Sequence, residues 1–276
     1  MKMFNKVVII GTGLIGGSLG LALKKQRLAD QVIGLSRHQK NARLAKKVGA
    51  IDRIGLSLEV VSDADLVILA TPVNTIIDLV LRIEKKIKKD CIVIDVGSTK
   101  ELIVSKLSAL FPNFLGCHPL GGSEKRGIVN LQASIFKGSI CIITPTFKTN
   151  YRALNKIKRL WNKLGASVVI LSAKKHDQIL AFTSHLPHAV AFSLINSIPD
   201  QYLSLSSSGL RDTTRISNSD AHLWSEIFLS NRLNLLADLS IFQKKLSALK
   251  LSLERKNKSR LIEILALANK KRGKLK

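Results

Sequence analysis

The run Gly11-Thr12-Gly13-Leu14-Ile15-Gly16 constrains this chain more than any other six residues. It follows a short β-rich apolar run, Lys6–Ile10, and opens an amphipathic stretch from Leu14 to Lys25, so the segment reads strand, tight turn, helix. In a G-x-G-x-x-G turn each glycine has a task. Gly11 makes the tight turn, Gly13 lets the backbone approach a pyrophosphate, and Gly16 allows close packing of the helix. The helix start adds free N–H groups and a partial positive charge for the phosphates. The sequence therefore begins with a dinucleotide-binding unit, in which Gly11, Thr12, Gly13, Leu14, Ile15 and Gly16 form the cradle.

The pattern repeats downstream. Further strands are expected at Gln31–Ser36, Leu66–Ala70, Cys91–Val96, Asn113–Gly116, Ser139–Thr144 and Ser167–Leu171, with helices near His38–Val48, Thr75–Lys88, Lys100–Leu110 and Tyr151–Leu164. Alternating strands and helices predict an α/β fold, a Rossmann-type doubly wound parallel sheet whose ligand crevice lies beyond the carboxyl ends of the strands. Strand signals stop near Ser172. The expected organisation is a dinucleotide-binding domain over 1–171 and an all-α substrate-binding and dimerisation domain over 172–276. In the second half Leu235, Leu239, Phe242, Leu246, Leu249 and Leu253 recur at spacings of four and three, the seam of a helix packed along another helix. From spacing alone the partner helix belongs either to the same chain or to a second copy. The residues from Lys270 onward read as a frayed basic tail.

The formal net charge is +25, which raises the question of nucleic acid. Lysine and arginine are spread along the chain without interleaved aromatics, so the expectation is a basic solvated surface attractive to anionic substrates, with no specific nucleic-acid partner. Cys91, Cys117 and Cys141 lie in or beside apolar runs and lack metal-ligand spacing, which predicts buried free thiols, no metal site and a cytoplasmic, reducing compartment. Lys2, Lys6 and the apolar stretch to Leu23 imitate an export signal, but the ordered glycines argue for a phosphate turn. No other segment reads as long and apolar enough to span a bilayer, so no membrane partner is expected.

At the end of the second strand an acid would hold the ribose hydroxyls of NAD. Here Ser36-Arg37-His38 stands instead, and a small hydroxyl beside an arginine suits the 2′-phosphate of NADP. The cofactor is therefore NAD(P)+, leaning to NADP+; the competing reading has Arg37 stacking on adenine with either cofactor bound. Thr71-Pro72, directly after a strand, is placed near the nicotinamide-side ribose.

Four further motifs stand where loops reach such a crevice: Asp95-Val96-Gly97-Ser98-Thr99-Lys100, His118-Pro119-Leu120-Gly121-Gly122-Ser123-Glu124, Ser184-His185-Leu186-Pro187-His188 and Gly209-Leu210-Arg211-Asp212-Thr213-Thr214-Arg215. In this order after the glycine fingerprint, they resemble the prephenate and arogenate dehydrogenases of tyrosine biosynthesis, over Lys6 to about Leu253. The resemblance implies oxidation of the C4 alcohol of a cyclohexadienyl ring by hydride transfer to the nicotinamide, with the ring carboxylate leaving as carbon dioxide. Hydride departure is easier as the hydroxyl proton is withdrawn, and a histidine can accept that proton. His118 is the expected base. By resemblance, Ser98 hydrogen-bonds the substrate hydroxyl region and the nicotinamide.

The small-molecule substrate that the resemblance implies carries two carboxylates. Arg215 is the expected bidentate partner of one of them, with Asp212 three residues earlier to brace it. Ser184 and His188, four apart, share a helical face and resemble the family's contacts to the substrate side chain, while His185 points elsewhere and Pro187 should kink the helix. Glu124 is placed as a gate or reader of a substrate amine, and Trp224 matches a family tryptophan near the pocket. The resemblance tips the leucine seam towards a homodimer through the C-terminal helices. It also leaves no room for a fused chorismate mutase or regulatory domain. The rival readings are another dehydrogenase of the β-hydroxyacid type and a dinucleotide-sensing nucleic-acid-binding protein.

Overall fold

A computed structural model describes residues 2–121 and 131–275. Eight strands form one sheet: β1 (Phe4–Ile10), β2 (Ala29–Leu35), β3 (Arg53–Ile54), β4 (Leu66–Leu69), β5 (Ile92–Asp95), β6 (Phe114–Pro119), β7 (Ile140–Thr144) and β8 (Ser167–Ile170). Their order across the sheet is β3-β2-β1-β4-β5-β6-β7-β8. The order reverses between β1 and β4, which creates a crevice at the carboxyl ends of those two strands. All pairs are parallel except β6 with β7, so the expected doubly wound parallel sheet carries one antiparallel pair. Apolar residues place a strand in a sheet without encoding its direction.

The central strands are near-continuous apolar runs because both faces are covered. One face packs under α1 (Leu14–Lys25) and the later helix Tyr151–Lys163, with Leu19, Leu23, Leu160 and Trp161 fully buried. The other packs under helices Val73–Ile83 and Glu101–Leu110, through Ile76, Val80, Ile103 and Leu107. Numbering helices in chain order, Gln39–Lys47 is α2, Val73–Ile83 α3, Glu101–Leu110 α4 and Tyr151–Lys163 α5. The two-residue β3 was not anticipated; it is an edge strand too short to show a period.

After β8 the chain is helical. Ser172 caps α6 (Ala173–Leu180), accepting from the Lys175 amide at 3.2 Å. A π-helical turn, Ala181–His185, leads into α7 (Leu186–Asn196), with Pro187 in its first turn. Proline removes a donor and crowds the preceding turn, and a π turn absorbs that without ending the helix. As a result Ala173–Asn196 runs as 24 helical residues, and its most apolar 18-residue stretch has a mean hydropathy of 1.2, enough in length and composition to cross a membrane. The expectation of no such segment is therefore corrected. Helices α8 (Ser208–Thr214) and α9 (Ala221–Ser230) follow, completing a compact unit that ends at Asn231.

A second compact unit begins at Arg232 and consists of α10 (Arg232–Glu254) and α11 (Lys258–Arg272). Asn257 caps α11 by accepting from the Arg260 amide at 2.9 Å. Within the leucine seam Leu235 is buried, whereas Leu246 and Leu253 are exposed, as are Leu233, Leu236 and Ile241 beside it.

Candidate active site

The glycine turn behaves as three different glycines. Gly11 sits at φ +102°, a conformation side chains avoid, and a Cβ there would lie 2.3 Å from the Ala70 carbonyl oxygen. A Cβ on Gly16 would lie 2.0 Å from the Gly11 carbonyl oxygen, so α1 packs on its own entry turn. Gly13 has an ordinary φ of −71° and a Cβ on it would meet nothing within 4 Å. It faces open space, and it caps α1 without a side-chain hydrogen bond, which leaves the helix amides directed at whatever fills that space. The hydroxyls of Thr12 and Thr71 are buried without partners among the described residues. A locked turn, an open central glycine, uncapped amides and two waiting hydroxyls fit a pyrophosphate-bearing dinucleotide.

The other expected cofactor contacts fall at the carboxyl ends of neighbouring strands. Ser36 and Arg37 follow β2, Ser36 half-buried and Arg37 exposed with its guanidinium 3.4 Å from the His38 ring. Thr71 and Pro72 follow β4 and lead into α3, and Thr71 lies beside the Gly11 turn. Ser98, half-buried, follows β5. His118 lies at the end of β6, whose Gly116 pairs with Asp95 of β5. Across β2, β1, β4, β5 and β6 the expected residues thus form one row along one edge of the sheet.

Behind that row lies a buried polar network that sequence reasoning missed. His118 Nδ1 is 2.8 Å from His176 Nε2, and His176 Nδ1 is 2.7 Å from Asp177 Oδ1. The Lys100 amide donates to Asp177 Oδ1 at 2.8 Å and the Glu101 amide to Oδ2 at 2.9 Å, so the carboxylate of α6 caps the N-terminus of α4. Lys100 is fully buried; its ammonium pairs with the fully buried Asp95 and donates to the Thr99 carbonyl at 2.9 Å. Burial pushes the Asp95 carboxyl up, opposed by Lys100. Burial also raises the Asp177 carboxyl, but the bonds from His176 and the two amides outweigh it and hold its pKa below the usual value. For His118 burial comes first, then the charges of His176, Lys100 and His185, and all push its pKa well below 6.5. His176 is lowered mainly by burial, against the pull of Asp177.

The network continues into the helical part. Asn231 Nδ2 donates to the Asp177 carbonyl at 2.8 Å and lies 3.1 Å from His185 Nδ1. His185 does point away from Ser184 and His188, but into the interior, where burial brings its pKa down to about 4. His185 meets the edge of Trp224 at 6.1 Å between ring centroids, and His188 stacks on the same tryptophan at 3.5 Å. The His188 ring donates from Nδ1 to the Ser184 carbonyl at 2.9 Å, which joins the two expected substrate contacts. Burial and the nearby positive charge of Arg215 lower the His188 pKa. Arg215 is exposed and stands just past α8, in a 3-10 turn. Asp212, expected to brace it, is exposed and in none of the ion pairs among the described residues. Glu124 lies outside the described residues.

Two signals for the missed residues were present. His176 lies eight and twelve residues before Ser184 and His188, multiples of the helical neighbour spacing of four. Lys100 stood inside a motif already singled out, with no role given to it.

Comparison with known proteins identifies the family. Residues 19–170 match the family described as prephenate dehydrogenase, nucleotide-binding domain, and residues 172–267 match prephenate dehydrogenase, dimerization domain. The prephenate dehydrogenase of Bacillus subtilis is 34% identical over 242 residues, covering 84% of this chain and 65% of that protein. The cyclohexadienyl dehydrogenase of Zymomonas mobilis is 31% identical over 287 residues, covering 100% of this chain and 98% of that one. Among solved structures, the prephenate dehydrogenase of Aquifex aeolicus in complex with hydroxyphenyl propionate and NAD+ superposes with a TM-score of 0.92. It shares 32% identity, and the match covers 99% of this chain and 98% of that one.

Proposed function

Because the chain belongs to the prephenate dehydrogenase family, we propose that it carries out the oxidative decarboxylation of prephenate to 4-hydroxyphenylpyruvate in tyrosine biosynthesis. Arogenate, the amino-acid counterpart of prephenate, would give tyrosine by the same chemistry. Membership makes the protein an NAD(P)-dependent oxidoreductase of the prephenate type, in place of the β-hydroxyacid alternative. The observation that carries the reading is the row of strand ends that puts the open Gly13 turn and His118 on the same edge of the sheet.

A nicotinamide dinucleotide held by the Gly11–Gly16 turn would supply the hydride acceptor for the ring carbon that bears the hydroxyl. His118 takes the hydroxyl proton, and its low pKa keeps it neutral and able to do so at physiological pH. Ser98, at the neighbouring strand end, fixes the hydroxyl against the cofactor. As the bond to the ring carboxylate breaks, its electrons enter the ring, and carbon dioxide leaves an aromatic product. Arg215 grips a substrate carboxylate, and Ser184, His188 and Trp224 form the wall against the substrate side chain. His188 favours prephenate over arogenate.

We keep the domain boundary at 171/172, a reading supported by the two family matches over 19–170 and 172–267 and by the Ser172 cap after β8. The molecule is a homodimer through its C-terminal helices, which the exposed leucines of α10 support. The buried free cysteines support a cytoplasmic location. Interior hydrogen bonds of His176, Asp177 and His185 argue that Ala173–Asn196 serves the protein core, with no membrane partner. The basic surface draws anionic substrates and no specific nucleic acid. Ser36 and Arg37 favour NADP+.

Initial rates with prephenate and arogenate, each against NAD+ and NADP+, test this reading. Prephenate with NADP+ is expected to be fastest, and Arg37→Ala should lower the NADP+ preference by about tenfold, the worth of one charge-assisted bond. Equal rates with both cofactors would remove the role of Arg37.

A further inference from the structure

We infer that His176 and Asp177 act as positioning residues that hold His118 in the single tautomer able to accept a proton at Nε2. This rests on the reading of His118 as the base, and it follows from counting protons along the network.

An ionised carboxylate only accepts. Asp177 is held in that state by three donors, the amides of Lys100 and Glu101 and the ring of His176. His176 must therefore carry its proton on Nδ1, 2.7 Å from Asp177 Oδ1. A neutral imidazole has one N–H, so His176 Nε2 is left as an acceptor. The 2.8 Å contact to His118 Nδ1 then needs the proton on His118, which makes Nε2 the unprotonated nitrogen of the base. The ring centroids of the two histidines stand 5.0 Å apart and the planes are tilted by 53°, a geometry of hydrogen bonding rather than stacking.

The arrangement has one alternative state. If His176 gained a second proton, Nε2 would donate to His118 Nδ1, the His118 proton would sit on Nε2, and the base would be blocked. The groups facing the pair decide between the two states: Asp177 on α6, Lys100 and Asp95 at the start of α4 and the end of β5, and His185 on the π-helical turn. The Lys100 ammonium opposes a second charge on His176, and Asp95 fixes that ammonium in place. When His118 takes the substrate proton at Nε2, its Nδ1–H already points at His176, which points at the carboxylate. The positive charge thus forms against an oriented chain that ends in an anion.

The protein contains six histidines, so ring-labelled 15N-histidine spectra of the full-length enzyme can be assigned by single substitution. The expected result is His118 with a protonated Nδ1 and a pyridine-like Nε2, and His176 with a protonated Nδ1. In His176→Leu, which removes the acceptor, kcat should fall about 10²-fold, with KM for prephenate and dinucleotide affinity nearly unchanged. His176→Gln, whose side-chain oxygen accepts in the same place, should restore kcat to within about tenfold of the parent.

A wild-type spectrum with the His118 proton on Nε2 overturns the inference, whatever the variants do. So does a His176→Leu enzyme with the parent's kcat and pH profile. If instead His118→Ala turns over normally while the spectrum shows Nδ1–H, the tautomer chain stands and the assignment of His118 as the base fails.

Discussion

The glycine cradle is built from six consecutive residues, whereas the histidine network draws on β6, the start of α4, α6, the π-helical turn and Asn231. The cradle works by backbone shape: two positions where a Cβ would strike main chain flank one where it would strike nothing. The network works by proton and charge placement among buried side chains, and its central contact joins residues 58 apart in sequence. Local shape is written in adjacent letters. Charge placement exists only after the sheet and the helices have come together, so its members look unrelated along the chain.

The comparison makes separable predictions, because damage to the network should change turnover and damage to the cradle should change cofactor binding or stability. The largest effect is expected for His118→Ala: kcat lower by about 10³-fold with a much smaller change in KM for prephenate, read from steady-state kinetics. The same base sets a pH signature. Activity needs the neutral ring, and a pKa held below 6.5 puts the acid limb of kcat/KM below pH 6.5, with full activity above it. A limb above pH 6.5 would place the titrating group elsewhere.

Arg215→Ala should act differently, raising KM for prephenate by about 10²-fold as a charge-assisted carboxylate contact of about 2–3 kcal/mol is lost. Arg215→Lys should recover only part of this, since an ammonium cannot grip a carboxylate with two parallel bonds. Equal losses of kcat in the two variants would move Arg215 from binding to chemistry.

The cradle offers the smallest and sharpest contrast. Gly16→Ala forces a Cβ to 2.0 Å from a carbonyl oxygen and should destabilise the fold by about 1–3 kcal/mol in thermal or chemical unfolding. Gly13→Ala meets nothing and should leave unfolding within about 0.5 kcal/mol of the parent, yet raise KM for the dinucleotide about tenfold. If Gly13→Ala bound cofactor normally, the space in front of it would not be the pyrophosphate site.

What could be read from sequence follows the same division. The strand, turn and helix of the cradle, the helices Glu101–Leu110 and Tyr151–Lys163 and the end of the strands near Ser172 were legible, because each is set by local periodicity or by a local cap. The reversed direction of β7 and the existence of β3 were not, since pairing partners decide both. His118, Ser184, His188 and Arg215 were singled out through the order of their motifs. His176, Asp177 and Asn231 were passed over because a histidine, an aspartate and an asparagine acquire a role only from what they touch. A helix carrying Ser184, Pro187 and His188 was legible, but the π-helical turn that accommodates Pro187 was not, since spacing does not distinguish a π turn from an α turn.

The central claim is that one pocket couples proton removal, hydride transfer and carboxylate loss on one ring. Prephenate labelled in its ring carboxylate tests it directly, with carbon dioxide and reduced cofactor counted in the same reaction. The account predicts one labelled carbon dioxide for each reduced cofactor, both falling together in His118→Ala. Reduced cofactor formed without labelled carbon dioxide would contradict it.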